Sequence, residues 1–136
     1  MGFSTSNGTI RQRFDELWDT YNPTIPYTFD DQGESDFPSR DSAWARLSIL
    51  NGEGFQVEMG MTNRWRYPGI AVVQLFVPKG SGTGLAEQVA DSMKLIFQGR
   101  TISGVVFKAT SLLKAGESEP WVQYNISTPF HFDTLE

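Results

Sequence analysis

From Ile70 to Val77 the chain reads Ile-Ala-Val-Val-Gln-Leu-Phe-Val, apolar on both sides of an extended backbone but for one glutamine. A strand with one wet face alternates, so a run apolar on both faces predicts a central strand covered on both sides. The run is also far shorter than the roughly 20 apolar residues of a membrane-spanning helix, and no membrane partner is expected.

Alternating segments flank it. Ala43 to Leu50 sets Ala45, Leu47 and Ile49 against Trp44, Arg46 and Ser48. Asn51-Gly52-Glu53-Gly54 then reads as a hairpin turn, because Asn and Gly tolerate positive φ, and Phe55 to Met61 alternates again. Ile102 to Thr110 and Trp121 to Thr128 predict two further strands, with Gly116 to Pro120 as a loop between them. Tyr27 to Phe29 is a short strand candidate.

Two segments have helical period. Ile10, Phe14, Leu17, Trp18 and Tyr21 form one apolar stripe, with Thr9 and Gln12 placed as a capping box and Pro23 and Pro26 ending the helix. Leu85, Val89, Met93, Ile96 and Phe97 form the second, which Gly99 stops. Strands cluster rather than alternate with helices. The expectation is an α+β fold: a mostly antiparallel sheet of five to six strands with two helices packed on it. The 136 residues suit one domain, 1–136, with 1–8 flexible and 30–42 a long acidic loop.

Composition narrows function by exclusion. With no Cys there is no disulfide, thiolate nucleophile or cysteine-based zinc site. A net charge of −5 lacks the surplus of Lys and Arg that generic phosphate binding requires, although Arg64-Trp65-Arg66 is a local basic spot. The first eight residues show no basic segment followed by an apolar run, so no signal peptide is expected there.

The search for chemistry returns little. Lys79 precedes the glycines of Gly80-x-Gly82-x-Gly84, whereas a phosphate loop needs Lys after the last Gly, and the dinucleotide spacing is also missed. Asp30, Asp31, Glu34 and Asp36 suggest calcium but lack the EF-hand order, so a solvated or partner-ordered loop is the reading. His131, the one histidine, shares a strand face with Asp133. No Gly-x-Ser-x-Gly elbow accompanies it, and no metal-ligand spacing surrounds it. No enzyme activity, cofactor or metal is expected. A small hydrolase or ligand-binding domain using His131 and nearby acids stays as the alternative of another class.

Work through surfaces is the remaining option. Arg64, Trp65, Arg66 and Tyr67 belong to the types enriched at interface cores, and stand either as an interface or as a tight strand connection with a packed Trp. Asp30, Asp31, Lys79 and His131 complete the interface candidates.

The order of these pieces resembles the tail-terminator-like proteins of long, non-contractile-tailed phages, from about Thr9 to Phe132. The pieces are Arg13-Phe14 with Trp18, then Pro26-Tyr27, then Trp44 to Ile49. Pro68-Gly69-Ile70 running through Val73 to Gly82, Ala90-Asp91, and Trp121 to Ser127 with Pro129-Phe130 follow. The acidic stretch Asp30 to Pro38 is longer and more charged than the family pattern. The resemblance implies a virion protein, made in the host bacterial cytoplasm and placed at the head-proximal end of the tail. It would assemble with itself, as a hexameric ring, on the tail tube protein and stop tube growth. It would meet a head-completion or connector protein and let genomic DNA pass, for which an acidic lumen is suited. A head-completion or other neck protein is the nearest alternative.

Overall fold

The structure is a computed structural model that describes residues 2–29, 43–57, 63–80, 83–118 and 121–135. In chain order the elements are α1 (Phe3–Tyr21), β1 (Tyr27–Phe29), β2 (Trp44–Asn51), β3 (Phe55–Gln56) and β4 (Arg64–Pro78). Then come α2 (Gly84–Ile96), β5 (Thr101–Ile102), β6 (Val105–Phe107), β7 (Ser111–Ser118) and β8 (Trp121–Leu135). The class is α+β as expected, but the sheet has eight strands among the described residues rather than five or six.

β4 and β8 are each 15 residues long and pair antiparallel along their whole length, Arg64 with Leu135 through Pro78 with Trp121. The outer side of β4 is covered in two pieces, β2 over Gly69–Phe76 and β3 over Trp65 and Arg66. The outer side of β8 is likewise shared, β7 along Trp121–Ser127 and β6 along Phe130–Phe132. β1 joins β2 in the one parallel pairing among the described strands.

Three expectations change. Asn51 to Gly54 is no hairpin turn, because β2 and β3 run in the same direction on one edge of β4. Three residues, 52–54, oppose Tyr67 and Pro68, which makes a one-residue bulge. Second, Ile102 to Thr110 is broken by Ser103 and Gly104, both at positive φ, into the β5–β6 hairpin. Third, Ser111 to Ser118 is a strand, with Ala115 left out of register at a bulge and Gly116 paired with Gln123. Of the Phe55 to Met61 strand only Phe55–Gln56 is regular, and 58–62 lie outside the described residues.

Both helices pack on one face. Pairing in register puts Ala45, Leu47, Ala71, Val73, Leu75 and Ile126 on that side, in one buried cluster with the helix stripes. In α1 the buried stripe is Ser6, Ile10, Phe14 and Trp18. Trp18 Nε1 donates to the Ile25 carbonyl at 2.8 Å, so the buried indole is satisfied. The helix begins at Phe3, so 2–8 are not an unstructured leader, and the capping box does not form. The Thr9 hydroxyl instead donates back to the Thr5 carbonyl at 2.9 Å, and the Gln12 amide to Glu16. Phe3 explains the early start: its ring meets Tyr67 at 5.2 Å and Phe132 at 5.6 Å, which themselves stack. The second helix forms where the pattern places it, and Arg13 Nε donates to the Ile96 carbonyl at its C-terminal end.

The opposite face carries no helix among the described residues, so the central run is covered on one side only. Phe76 is the exception, stacked on Trp44 at 4.2 Å with Trp121 at the edge. Gly69 shows how tightly the covered side is filled. A Cβ there would lie 2.5 Å from the Phe130 ring and 2.9 Å from the Leu50 carbonyl. Gly69→Val is therefore expected to lower stability by about 1–3 kcal/mol, read by denaturant unfolding, while Gly2→Ala, at an open position, should be near neutral.

Candidate functional site

The interface candidates fall in β4 and β8, and strand period sorts them. Arg64 to Tyr67 is the start of β4 rather than a connection. Alternation sends Arg64 and Arg66 to the helix-free face and Trp65 and Tyr67 to the other, so the four residues do not form one patch. Tyr67 serves the core through its stack on Phe132.

Register then brings the arginines to the C-terminal strand. Arg66 lies opposite Asp133 and Pro68 opposite His131. Arg66 holds Asp133 with two nitrogens, Nε to Oδ1 at 2.9 Å and Nη2 to Oδ2 at 3.1 Å, and Arg64 Nη1 stands 3.5 Å from Oδ2. This bidentate fork is the geometry in which a guanidinium binds carboxylate best. It holds the Asp133 carboxyl below its usual range. Asp133 thus serves the arginines, not His131, and no His–carboxylate hydrogen bond is made between them.

His131 Nδ1 is buried and has no hydrogen-bond partner among the described residues. Burial is the first cause that lowers the imidazole pKa, the Arg66 charge the second, with Lys108 adding and Asp133 opposing. Lys79 is elsewhere: it pairs with Glu117 at 3.7 Å, roughly 40 Å along the strand direction from Arg66. Asp30 and Asp31 lie outside the described residues. Among the described residues no group of three or more His, Asp or Glu could hold a metal ion.

The helix-free face has further members that sequence reading passed over. Arg46 Nε donates to Gln74 Oε1 at 2.8 Å, and its guanidinium lies over the Phe76 ring. Leu50, Phe55, Ile70, Leu113 and Leu135, all well exposed, belong to this face by register. Leu50, Ile70, Pro68, Pro129 and Lys108 line a cleft of about 360 Å³. Its wall is mostly aliphatic, and the described residues bring no convergent acid, base and nucleophile to it. The arrangement suits contact with another surface.

No family model matches the chain, and no curated protein matches it in sequence. One solved structure, whose name states no function, is similar with a TM-score of 0.71, covering 97% of this chain and 96% of its own. At 17% identity that likeness is one of fold alone.

A histidine whose pKa is lowered by folding contributes stability that is full above about pH 6.5 and is lost as pH falls through its folded value. His131→Gln is expected to flatten the fall in melting temperature between pH 7 and pH 5. An unchanged slope would mean that His131 does not carry that dependence.

Proposed function

We propose that this chain is a structural virion protein, a tail-terminator subunit that forms a ring on the tail tube and catalyses nothing. The observation that carries the reading is the helix-free face. Exposed Leu50, Phe55, Ile70, Leu113 and Leu135 share it with Arg46, Arg64 and Arg66, while the core is completed on the other side. Aliphatic side chains and arginines on one open sheet face belong to a protein that works by contact. The resemblance to tail-terminator-like proteins supplies the kind of contact. Its strongest stretch, Pro68 to Gly82, begins within β4, and its closing stretch, Trp121 to Phe130, lies within β8.

In this reading the ring, hexameric by the family pattern, caps the tube, stops its polymerisation and joins the tail to a head-completion protein. A ring of identical subunits needs a contact that closes by rotation and leaves two different faces for two partners. The charge of −5 suits a lumen through which DNA must pass without sticking. A head-completion or other neck protein is the second reading, favoured by the same open face. The hydrolase alternative is weakened by Asp133, which its arginines occupy.

Purified protein, run on a sizing column and imaged by negative stain, is expected to give rings of tail-tube diameter. A monomer that persists at high concentration and ignores tail tubes would overturn the reading. His131→Ala should leave tail assembly intact; loss of function with rings preserved returns the hydrolase alternative.

A further inference from the structure

We propose that the cavity at the N-terminus of α2 binds a phosphoryl group, and takes it as a phosphate monoester in preference to the free ion. The cavity measures about 340 Å³ and lies where β4 ends at Pro78 and α2 begins at Gly84. It is enclosed within one chain, so the site stands whether or not the protein forms a ring. The glycine spacing here is not that of a phosphate loop, but the fold brings in cations by another route. Thr83, the N-cap of α2, lines the cavity and makes no capping bond; its hydroxyl donates to Glu87 at 3.4 Å. The N–H groups of Gly84, Leu85 and Ala86 have no acceptor among the described residues. Such N–H groups, with the helix dipole behind them, favour a phosphate oxygen. Glu87, the acid of the first turn, does not line this cavity.

Two ammonium groups add full charges. Lys79 Nζ stands 3.7 Å from Glu117 Oε2, and Lys114 Nζ stands 3.6 Å from Oε1. One carboxylate thus sits between two lysines on the cavity wall, which marks where a shared anionic group fits. All three side chains are about half exposed, and open pairs of this kind are loosely held. A dianion, with twice the charge, is suited to take the place of Glu117.

Tyr124 is the independent sign. It is only 6% exposed, opposite Lys114 in the β7–β8 ladder, and it lines the same cavity. Its hydroxyl makes no hydrogen bond among the described residues. Nor is it one of the sealed polar atoms left without a partner, so it opens onto the cavity. A buried phenol ordinarily finds a partner, and a phosphate oxygen supplies one. Val77, Pro78 and Val122 form the apolar part of the wall. The space is larger than a bare phosphate fills, and that wall suits the organic part of an ester.

Phenyl phosphate and inorganic phosphate, titrated separately into the full chain at matched ionic strength, test this by calorimetry. Saturable binding of one equivalent is expected for both, with phenyl phosphate at least about 3-fold tighter because its ring meets the apolar wall. Equal affinities would overturn the preference for an ester and assign the site to the free ion. Lys114→Met is expected to weaken binding at least about 10-fold. Glu117→Gln is expected to tighten it about 3-fold, since the competing carboxylate is gone. Tyr124→Phe should weaken it about 3-fold with the melting temperature unchanged, a loss that a hydroxyl of structural role alone would not cause. Lys79→Met serves as a second test of the lysine pair. No saturable heat at tens of millimolar of either probe overturns the proposal. Binding that survives Lys114→Met, Lys79→Met and Tyr124→Phe alike puts the anion elsewhere and overturns it too.

Discussion

The antiparallel ladder between β4 and β8 is the constraint on which everything else is hung. Fifteen consecutive residue pairs fix the register of the two longest strands, and a slip by one would turn every core side chain toward solvent. All other strands except β1 and β5 pair directly with one of these two. The same register is why Arg66 meets Asp133 and why His131 sits across from Pro68. One-sided helix cover then separates the two faces of the sheet, the core on one and exposed aliphatic side chains with arginines on the other.

That separation explains why a chain rich in aromatics has little pocket chemistry. Most of its large rings are consumed in the core, from Phe14 on Trp18 to Phe107 near Phe130. The open face keeps aliphatic side chains and arginines, the latter held by Asp133, Gln74 and the Phe76 ring.

Much of the fold was legible in residue patterns, and the failures have physical causes. The helix over Gly84–Ile96 was readable because burial imposes period on its apolar residues, and the central strand from its apolar run, although the two-sided cover that run predicts is one-sided. The Thr9 capping box failed because Phe3 found a place between Tyr67 and Phe132, and tertiary packing outweighed the local cap. β7 was hidden by Gly116 and Pro120, which are turn signals, though Gly116 pairs with Gln123 beside the bulge at Ala115. Ser103-Gly104 was the missed signal, a dipeptide suited to a two-residue hairpin. At the site, Arg66 and His131 stood out by type, but their meeting depends on a pairing register between distant segments. Arg46 and Leu113 carried no signal beyond strand alternation.

One line across the sheet has a mechanical consequence. At the level of Gly69 and Phe130 the outer partner of β4 changes from β2 to β3, and near it that of β8 changes from β7 to β6. Pro68 and Pro129 flank that level and bring no N–H to the ladder. The long strands are continuous there while each flank changes strand, tied across the change by the Gly52 N–H to the Pro68 carbonyl and the Lys108 N–H to the Pro129 carbonyl, each at 2.8 Å, so the line is a crease between two differently flanked halves. Bending the sheet about it leaves each half with its own flanking strands. A plate creased across its middle can change curvature without losing its edges.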